Sequence, residues 1–484
     1  MLALWSTLNL TIAILVPLVQ LIGLYCAWRA LLYTRTAQGT TAWIIALLLQ
    51  PFVAVPLYAV LGRRKFVGYT QARRDGDDQL SDIAAELNRQ LNLGPEPVRS
   101  EATGGVAKML AIQKMAKLPF TSGNRCELLV DGAATFDSIF EGIAAAREYV
   151  LVQFFILRDD ELGERLRASL CERVRDGLRV LLLYDEIGSY SLPRTYVDEL
   201  KRGGVEVSAF HSTLGRRNRF QVNFRNHRKV VLTDGHTAWI GGHNVGVEYL
   251  GEAPKFGRWR DTHLKIEGPS TLGIQLAFLE DWHWATKTVP QLHWSPARKS
   301  VGSAHALALP SGPADDLETA ELFFLHMIHS AKRRVWITSP YFVPDESVVK
   351  ALKLAALRGV DVRVLLPNKP DHLLIYLSSF SYLEDLCATG VRVSRYMQGF
   401  LHGKVLLVDD EFAAVGTANL DNRSFRLNFE LTMLVVDMPF NAAVATMLEA
   451  DFADSREMDL SHIKERSLLF CSAVKLARLA APIQ

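Results

Sequence analysis

The sequence predicts an α/β fold built twice in one chain, two mixed or mostly parallel sheets with helices on their faces, behind an N-terminal pair of membrane-crossing helices. Three observations carry this expectation. The first 62 residues contain two long stretches without charge, and a strand-helix-strand pattern occurs twice in the same order. A polar motif, HxKxxxxD followed six residues later by GxxN, begins at His227 and again at His402, 175 positions on.

No charged side chain occurs from Met1 to Trp28 or from Thr36 to Gly62, and about 20 apolar residues suffice to cross a hydrocarbon core. A hairpin occupying 1–62 is expected, with spans at about 4–27 and 41–61. A cleaved signal peptide would want a basic start and a small-residue cleavage site, and neither is evident. Pro51 and Pro56 should kink the second span. The connection carries Arg29 and Arg35, while Arg63, Arg64, Lys65, Arg73 and Arg74 follow the second span. This excess places both termini, and everything after the hairpin, in the cytoplasm. Five scattered cysteines without CxxC spacing argue against a disulfide framework or a zinc site. A net charge of +2 is too small to call for a nucleic-acid partner.

Residues 63–120 read as a juxtamembrane linker, broken by Gly94-Pro95-Glu96-Pro97. The first α/β half is expected over 121–288, with a strand at 149–157, a helix at 161–176 and a strand at 178–184. A connecting segment rich in Pro, Ser and Gly, 289–316, leads to a second half over 317–455. There the pattern returns as a strand at 334–343, a helix at 345–358 and a strand at 360–366. Short strands beginning at Gly204 and Gly390 precede the two motifs. They are 186 positions apart, against 175 for the histidines, so the first half has 11 extra residues. That insertion brings Arg216, Arg217, Arg219 and Arg225, either a solvated basic loop or a rim for anionic headgroups. The C-terminal segment 456–484 mixes leucines with Lys464, Arg466, Lys475 and Arg478, as an interfacial helix would, or a helix capping the second core.

Each HxK precedes an apolar run, Val230-Val231-Leu232 or Val405-Leu406-Leu407, which argues for a strand. Residues i and i+2 of a strand share a face, so His227 is presented with Lys229 and His402 with Lys404. Asp234 and Asp409 fall at the strand ends. Asn244 and Asn419 lie past a second short strand, in turns where glycine permits close backbone approach. These residue types suit a phosphodiester. Lysine and asparagine donate to the non-bridging oxygens, while one imidazole attacks phosphorus and the other protonates the leaving oxygen. Each motif is half of a site, and no third ligand accompanies His326 and His329 to make a metal centre.

The duplicated motif resembles the phospholipase D superfamily, and in detail its bacterial cardiolipin synthase branch, over nearly the whole chain. Supporting runs are Asn226-His227-Arg228-Lys229, Trp259-Arg260-Asp261-Thr262-His263, Ser311-Gly312-Pro313, Pro340-Tyr341-Phe342-Val343-Pro344, Gly399-Phe400-Leu401-His402 and 416–430. The resemblance implies two phospholipase D-like halves sharing one site, a covalent phosphohistidine-type intermediate, and neither metal nor cofactor. It further implies a multi-pass bacterial inner-membrane enzyme with its catalytic part on the cytoplasmic face. The expected reaction moves a phosphatidyl group between two phosphatidylglycerol molecules, giving cardiolipin and glycerol. Partners are anionic phospholipids and the bilayer, not nucleic acid.

Carried over position by position, His227, Lys229, Asp234, His402, Lys404 and Asp409 are catalytic, and Asn244 and Asn419 bind substrate. The aspartates would orient the opposite histidine, or Glu248 and Glu430 would do so instead. Gly242 and Thr417 stand where many members have Ser. His227 as nucleophile follows from resemblance alone. A phosphodiesterase using water or another alcohol, and a membrane-anchored lipid-binding module with an idle site, are the competing readings.

Overall fold

The computed structural model describes residues 2–34, 36–62, 106–211, 223–294, 300–459 and 466–484, together with 66, 69, 82–83, 85–87 and 89. They belong to two compact units, Met1–Gly68 with Ser212–Phe224, and Tyr69–His211 with Arg225–Gln484. Arg216, Arg217 and Arg219, the Gly94 to Pro97 break, and the orienting basic residues other than Arg29 lie outside the described residues.

The first unit contains α1 (Leu2–Tyr33), α2 (Ala37–Leu49) and α3 (Pro51–Leu61). Within α1, the 21 residues Ala13–Tyr33 are long and apolar enough to cross a membrane. The second apolar stretch, expected as one kinked helix over 41–61, is instead two, of 13 and 11 residues. The residue before a proline is pushed out of the helical region. Gln50 accordingly adopts φ −134° and ψ 57°, and the chain restarts with Pro51 in the first turn. Pro56 sits inside α3 without ending it. Ala27, Ala30, Leu47, Ala54 and Tyr58 join the three helices. Gly23 lets α1 approach the α2 backbone, since a Cβ there would stand 2.7 Å from the Leu47 carbonyl oxygen. Leu21, Tyr25, Trp28, Leu31, Leu49 and Val53 face outward, a distribution suited to small residues packing helices and bulky ones meeting lipid.

The second unit is organised by one sheet. Its first strands are β1 (Thr121–Val130), β2 (Tyr149–Phe154), β3 (Arg179–Asp185), β4 (Glu206–Phe210), β5 (Arg225–Asn226), β6 (Val230–Thr233), β7 (Thr237–Gly241), β8 (Trp259–Arg260) and β9 (Thr262–Glu267). There follow β10 (Ala304–Ser311), β11 (Arg334–Thr338), β12 (Phe342–Val343), β13 (Asp361–Pro367), β14 (Arg392–Tyr396), β15 (Phe400–Leu401), β16 (Val405–Val408), β17 (Phe412–Gly416), β18 (Leu420–Asp421), β19 (Asn428–Val436) and β20 (Ser455–Glu457); β8 with β15 and β12 with β18 form two separate two-stranded sheets. From the antiparallel β1–β10 pair, the order outward is β9, β7, β6, β2, β3, β4 on one side and β19, β17, β16, β11, β13, β14 on the other.

The outer trios β2–β3–β4 and β11–β13–β14 are parallel, and the pairs from β2 and β11 inward are antiparallel. The expected mixed sheet is therefore found, as one continuous sheet and not two, with parallel pairing only in the outer trios, where helical crossovers connect the strands. The motif strands return through tight hairpins, which are antiparallel by construction. The strand expected over 334–343 stops at Thr338, because Pro340 offers no N–H to the ladder, and resumes as β12. Helix Asp131–Ala145 packs Phe136, Ile139 and Phe140, and Glu161–Arg175 packs Leu162, Leu166 and Leu170, with Val150, Val152, Val180 and Leu182 of the sheet. Helix Thr271–Thr286 is buried nearly all round and carries Asp281 into the interior.

Candidate active site

His227-Arg228-Lys229 links β5 to β6, and His402-Gly403-Lys404 links β15 to β16. Each triplet is thus the lead-in to its strand and not part of it, a displacement from the expected placement. The alternation survives. Arg228 is engaged by Asp281, its Nη1 donating to that carboxylate at 2.8 Å, and its Nε donates to the Glu430 carbonyl at 3.1 Å. The same Asp281 oxygen accepts from Asn226 at 2.7 Å and Gln153 at 2.8 Å. This buried cluster anchors the middle of the first triplet.

Each histidine is held by a carboxylate far away along the chain. His227 Nδ1 lies 2.9 Å from both oxygens of Glu430, 203 positions away. His402 Nδ1 lies 2.7 Å from Asp261 Oδ2, 141 positions away. Glu430 also accepts from Thr417 Oγ1 at 2.5 Å, Ser424 Oγ at 2.9 Å and Asn428 Nδ2 at 3.1 Å. Asp261 accepts from the Thr262 N–H at 2.8 Å and Trp259 Nε1 at 3.3 Å. Gly241 pairs with His263 across β7–β9, and Gly416 with Thr432 across β17–β19. Asp261 and Glu430 therefore occupy corresponding places, each two residues before the partner of the GxxN glycine. Gly242, which corresponds to Thr417, is required there, since a Cβ would stand 1.9 Å from Asp261 Oδ1.

Asp261 is the residue that sequence reasoning left out of the site, although its run was noticed. The Glu430 carboxylate stands against His227, whereas Glu248 pairs with Arg158 at 3.2 Å. Asp234 and Asp409 do not orient a histidine. Both have φ of 53° in their hairpin turns, a left-handed conformation that aspartate tolerates. The Asp234 carboxylate accepts the backbone N–H groups of Arg147, Glu148 and Tyr149 at 2.8–3.0 Å. Asp409 does the same for Lys332, Arg333 and Arg334 at 2.7–3.2 Å. They secure the starts of β2 and β11. Asp234→Ala or Asp409→Ala should cost about 2–4 kcal/mol of stability and leave turnover per folded molecule within about twofold. Thermal unfolding alongside activity separates the two. Lost turnover in fully folded protein would return these residues to the chemistry.

Asn244 is committed at both ends, its Oδ1 accepting from the Ile156 N–H at 3.0 Å and its Nδ2 donating to the Tyr249 hydroxyl at 3.0 Å. Asn419 differs. Its Oδ1 is buried without a hydrogen-bond partner among the described residues.

Lys229 Nζ donates to the His227 carbonyl at 2.6 Å. Lys404 Nζ donates to the His402 carbonyl at 2.5 Å and lies 2.9 and 3.1 Å from the two ring nitrogens. Burial, reinforced by Lys229, outweighs Glu430 and pushes His227 down to about 4. Burial and then Lys404 outweigh Asp261 and push His402 down to about 4. Burial also pushes Lys404 down to about 8 and Lys229 well below its ordinary value. Burial opposes charge on Asp261, yet His243, His402 and Lys404 hold its carboxyl below the usual range. His227 and Lys229 do the same for Glu430 against burial. At neutral pH both imidazoles are uncharged, with Nδ1–H directed at a carboxylate and the lone pair on Nε2. The imidazole side chains retain 10% and 9% exposure while Glu430 and Asp261 have none, so the rings keep an edge open to solvent and their supports do not. Among the described residues, no group of three or more His, Cys, Asp or Glu side chains is arranged to hold a metal ion.

Residues 324–453 match the family described as "Cardiolipin synthase, PLD-like domain". Cardiolipin synthase A of Pseudomonas aeruginosa is 48% identical over 465 residues, covering 96% of this chain and 94% of its own. Its namesake in Pseudomonas entomophila is 47% identical over 469 residues, covering 97% and 98%. Among solved structures, phosphatidylserine synthase of Haemophilus influenzae superposes with a TM-score of 0.60 at 16% identity, over 78% of this chain and all of that one. Polyphosphate kinase of Porphyromonas gingivalis gives 0.50 at 14% identity, over 79% and 55%. These structures share the fold. With nearly half of its residues identical to such relatives from end to end, the chain belongs to the cardiolipin synthase family of phospholipase D-like proteins.

Proposed function

We propose that this protein is a phosphatidyltransferase that makes cardiolipin from two molecules of phosphatidylglycerol. The observation that carries the reading is the crossed pairing, in which two buried imidazoles each have a fully buried carboxylate on Nδ1. His227 Nε2 has no hydrogen-bond partner among the described residues and attacks phosphorus. The bond to the glycerol headgroup breaks, and its oxygen takes the proton that His402 has gained as the anionic substrate binds. This leaves phosphatidyl-His227 and free glycerol. The headgroup hydroxyl of a second phosphatidylglycerol then gives its proton to His402 and attacks the same phosphorus, breaking the N–P bond and releasing cardiolipin. One phosphodiester replaces another, so no nucleotide is needed and the exchange is near balance.

Lys229 and Lys404 neutralise the non-bridging oxygens, and the unpartnered Oδ1 of Asn419 accepts a headgroup hydroxyl. Residues 121–288 and 317–455 serve as repeated halves joined by 289–316. In the cell, α1 crosses the inner membrane and the α2–α3 pair returns beside it, leaving the catalytic unit in the cytoplasm. A water-excluding surface of lipid at the site favours transfer over hydrolysis.

The test is purified full-length protein with phosphatidylglycerol as sole lipid, products resolved by mass spectrometry. Cardiolipin and glycerol in equal amounts are the expected products. Phosphatidic acid instead would make the protein a hydrolase, and unchanged lipid would leave it a binding module.

A further inference from the structure

One helix of the second unit turns its leucines outward. Leu468–Arg478 buries Val474 and Ala477 and sets the Phe470 ring 5.2 Å from Phe380 of the helix Leu373–Cys387. At 100° per residue, the opposite arc carries Leu468, Leu469, Leu476 and Leu479, which are 87%, 84%, 68% and 78% exposed. Single exposed leucines are ordinary; four along one face of a short helix form a patch that marks a contact surface. Charge narrows the partner. From 466 to 484 the chain has Arg466, Lys475 and Arg478 and no acidic residue, and Lys475 falls at the edge of the leucine arc. An apolar arc edged by positive charge alone matches a bilayer carrying anionic headgroups, which takes leucine into its acyl boundary and basic side chains at its surface. The supporting helix also begins with exposed Leu373 and Leu374, just after Asp371, whose charge reaches Lys404 in the site.

We propose that the leucine face of Leu468–Arg478 seats the catalytic unit directly on a bilayer containing anionic phospholipid. The contact is separate from the anchorage supplied by α1. Its kinetic consequence rests on the reading that the substrate is a bilayer phospholipid, whereas the contact itself does not.

Full-length protein in nanodiscs of phosphatidylglycerol and phosphatidylcholine, doped with phosphatidylcholine bearing a diazirine in its acyl chain, tests the contact. After illumination, peptide mapping is expected to find lipid adducts on 468–479 as well as on α1. Adducts on α1 with none on 468–479 overturn the proposal. A second arm uses Leu469→Glu with Leu476→Glu, exposed positions where the thermal midpoint should not move. The apparent KM for phosphatidylglycerol in vesicles is expected to rise about tenfold, with turnover of monomeric short-chain phosphatidylglycerol unchanged. An unchanged KM in vesicles also overturns the proposal. If the unaltered protein turns over neither substrate, the phosphatidyltransferase reading fails while the labelling result still decides the contact.

Discussion

Alanine at His402 is expected to lower steady-state turnover by about four orders of magnitude while leaving the first half-reaction available to a substrate that needs no acid. In the proposed division of labour, His227 forms the bond to phosphorus, and His402 protonates the departing glycerol oxygen, which is a poor leaving group without a proton. A phosphatidyl ester of p-nitrophenol leaves unaided. With that substrate His402→Ala should release one equivalent of p-nitrophenol per enzyme and stop, because no base remains to activate the second alcohol. The same sample should carry a phosphatidyl adduct on the peptide containing His227. His227→Ala should give neither burst nor adduct. An adduct on His402 in the His227→Ala protein would reverse the two roles, and near-normal turnover in either variant would end the two-histidine mechanism.

The second large effect belongs to the carboxylates. Glu430→Gln and Asp261→Asn preserve size but remove the charge that stabilises an imidazolium on the opposite half, and each should reduce turnover by about 10²–10⁴. The p-nitrophenyl substrate separates them. Glu430→Gln should slow the burst, since Glu430 supports the attacking ring. Asp261→Asn should leave the burst rate nearly intact and slow only the release of cardiolipin, since Asp261 supports the acid and base. Equal slowing of the burst by both variants would mean that the carboxylates act on the site as a whole and not through one ring each.

Why Asp261 escaped detection is instructive. The spacing of His227 and Lys229, and of Asp234 and Asp409, is local, set by strand alternation and by the number of residues a short hairpin arm holds. Such spacings are visible in sequence. The partner of His402 lies 141 positions away and is specified by the register of β7 against β9, which no local pattern states. Its mate Glu430 could be suspected because it lies in the same long run as Asn419. Glu248 was the false counterpart, near the first motif along the chain but engaged by Arg158. The motif aspartates pose the converse question. Their regular spacing reflects a conformational need, a left-handed residue that also caps the next strand, and regularity alone does not distinguish that from chemistry. The break at Gln50 was legible through Pro51, though not that it would divide the stretch into two helices.

The crossing of the two carboxylates also bears on the protein's birth. Ribosomes make His227 long before Glu430, and Asp261 long before His402. A chain cut short between residues 261 and 402 has one imidazole without its carboxylate and one carboxylate without its ring. On the proposed mechanism, premature fragments that reach the membrane lack the second imidazole and the Glu430 carboxylate, and phosphoryl transfer requires β19 to have been synthesised.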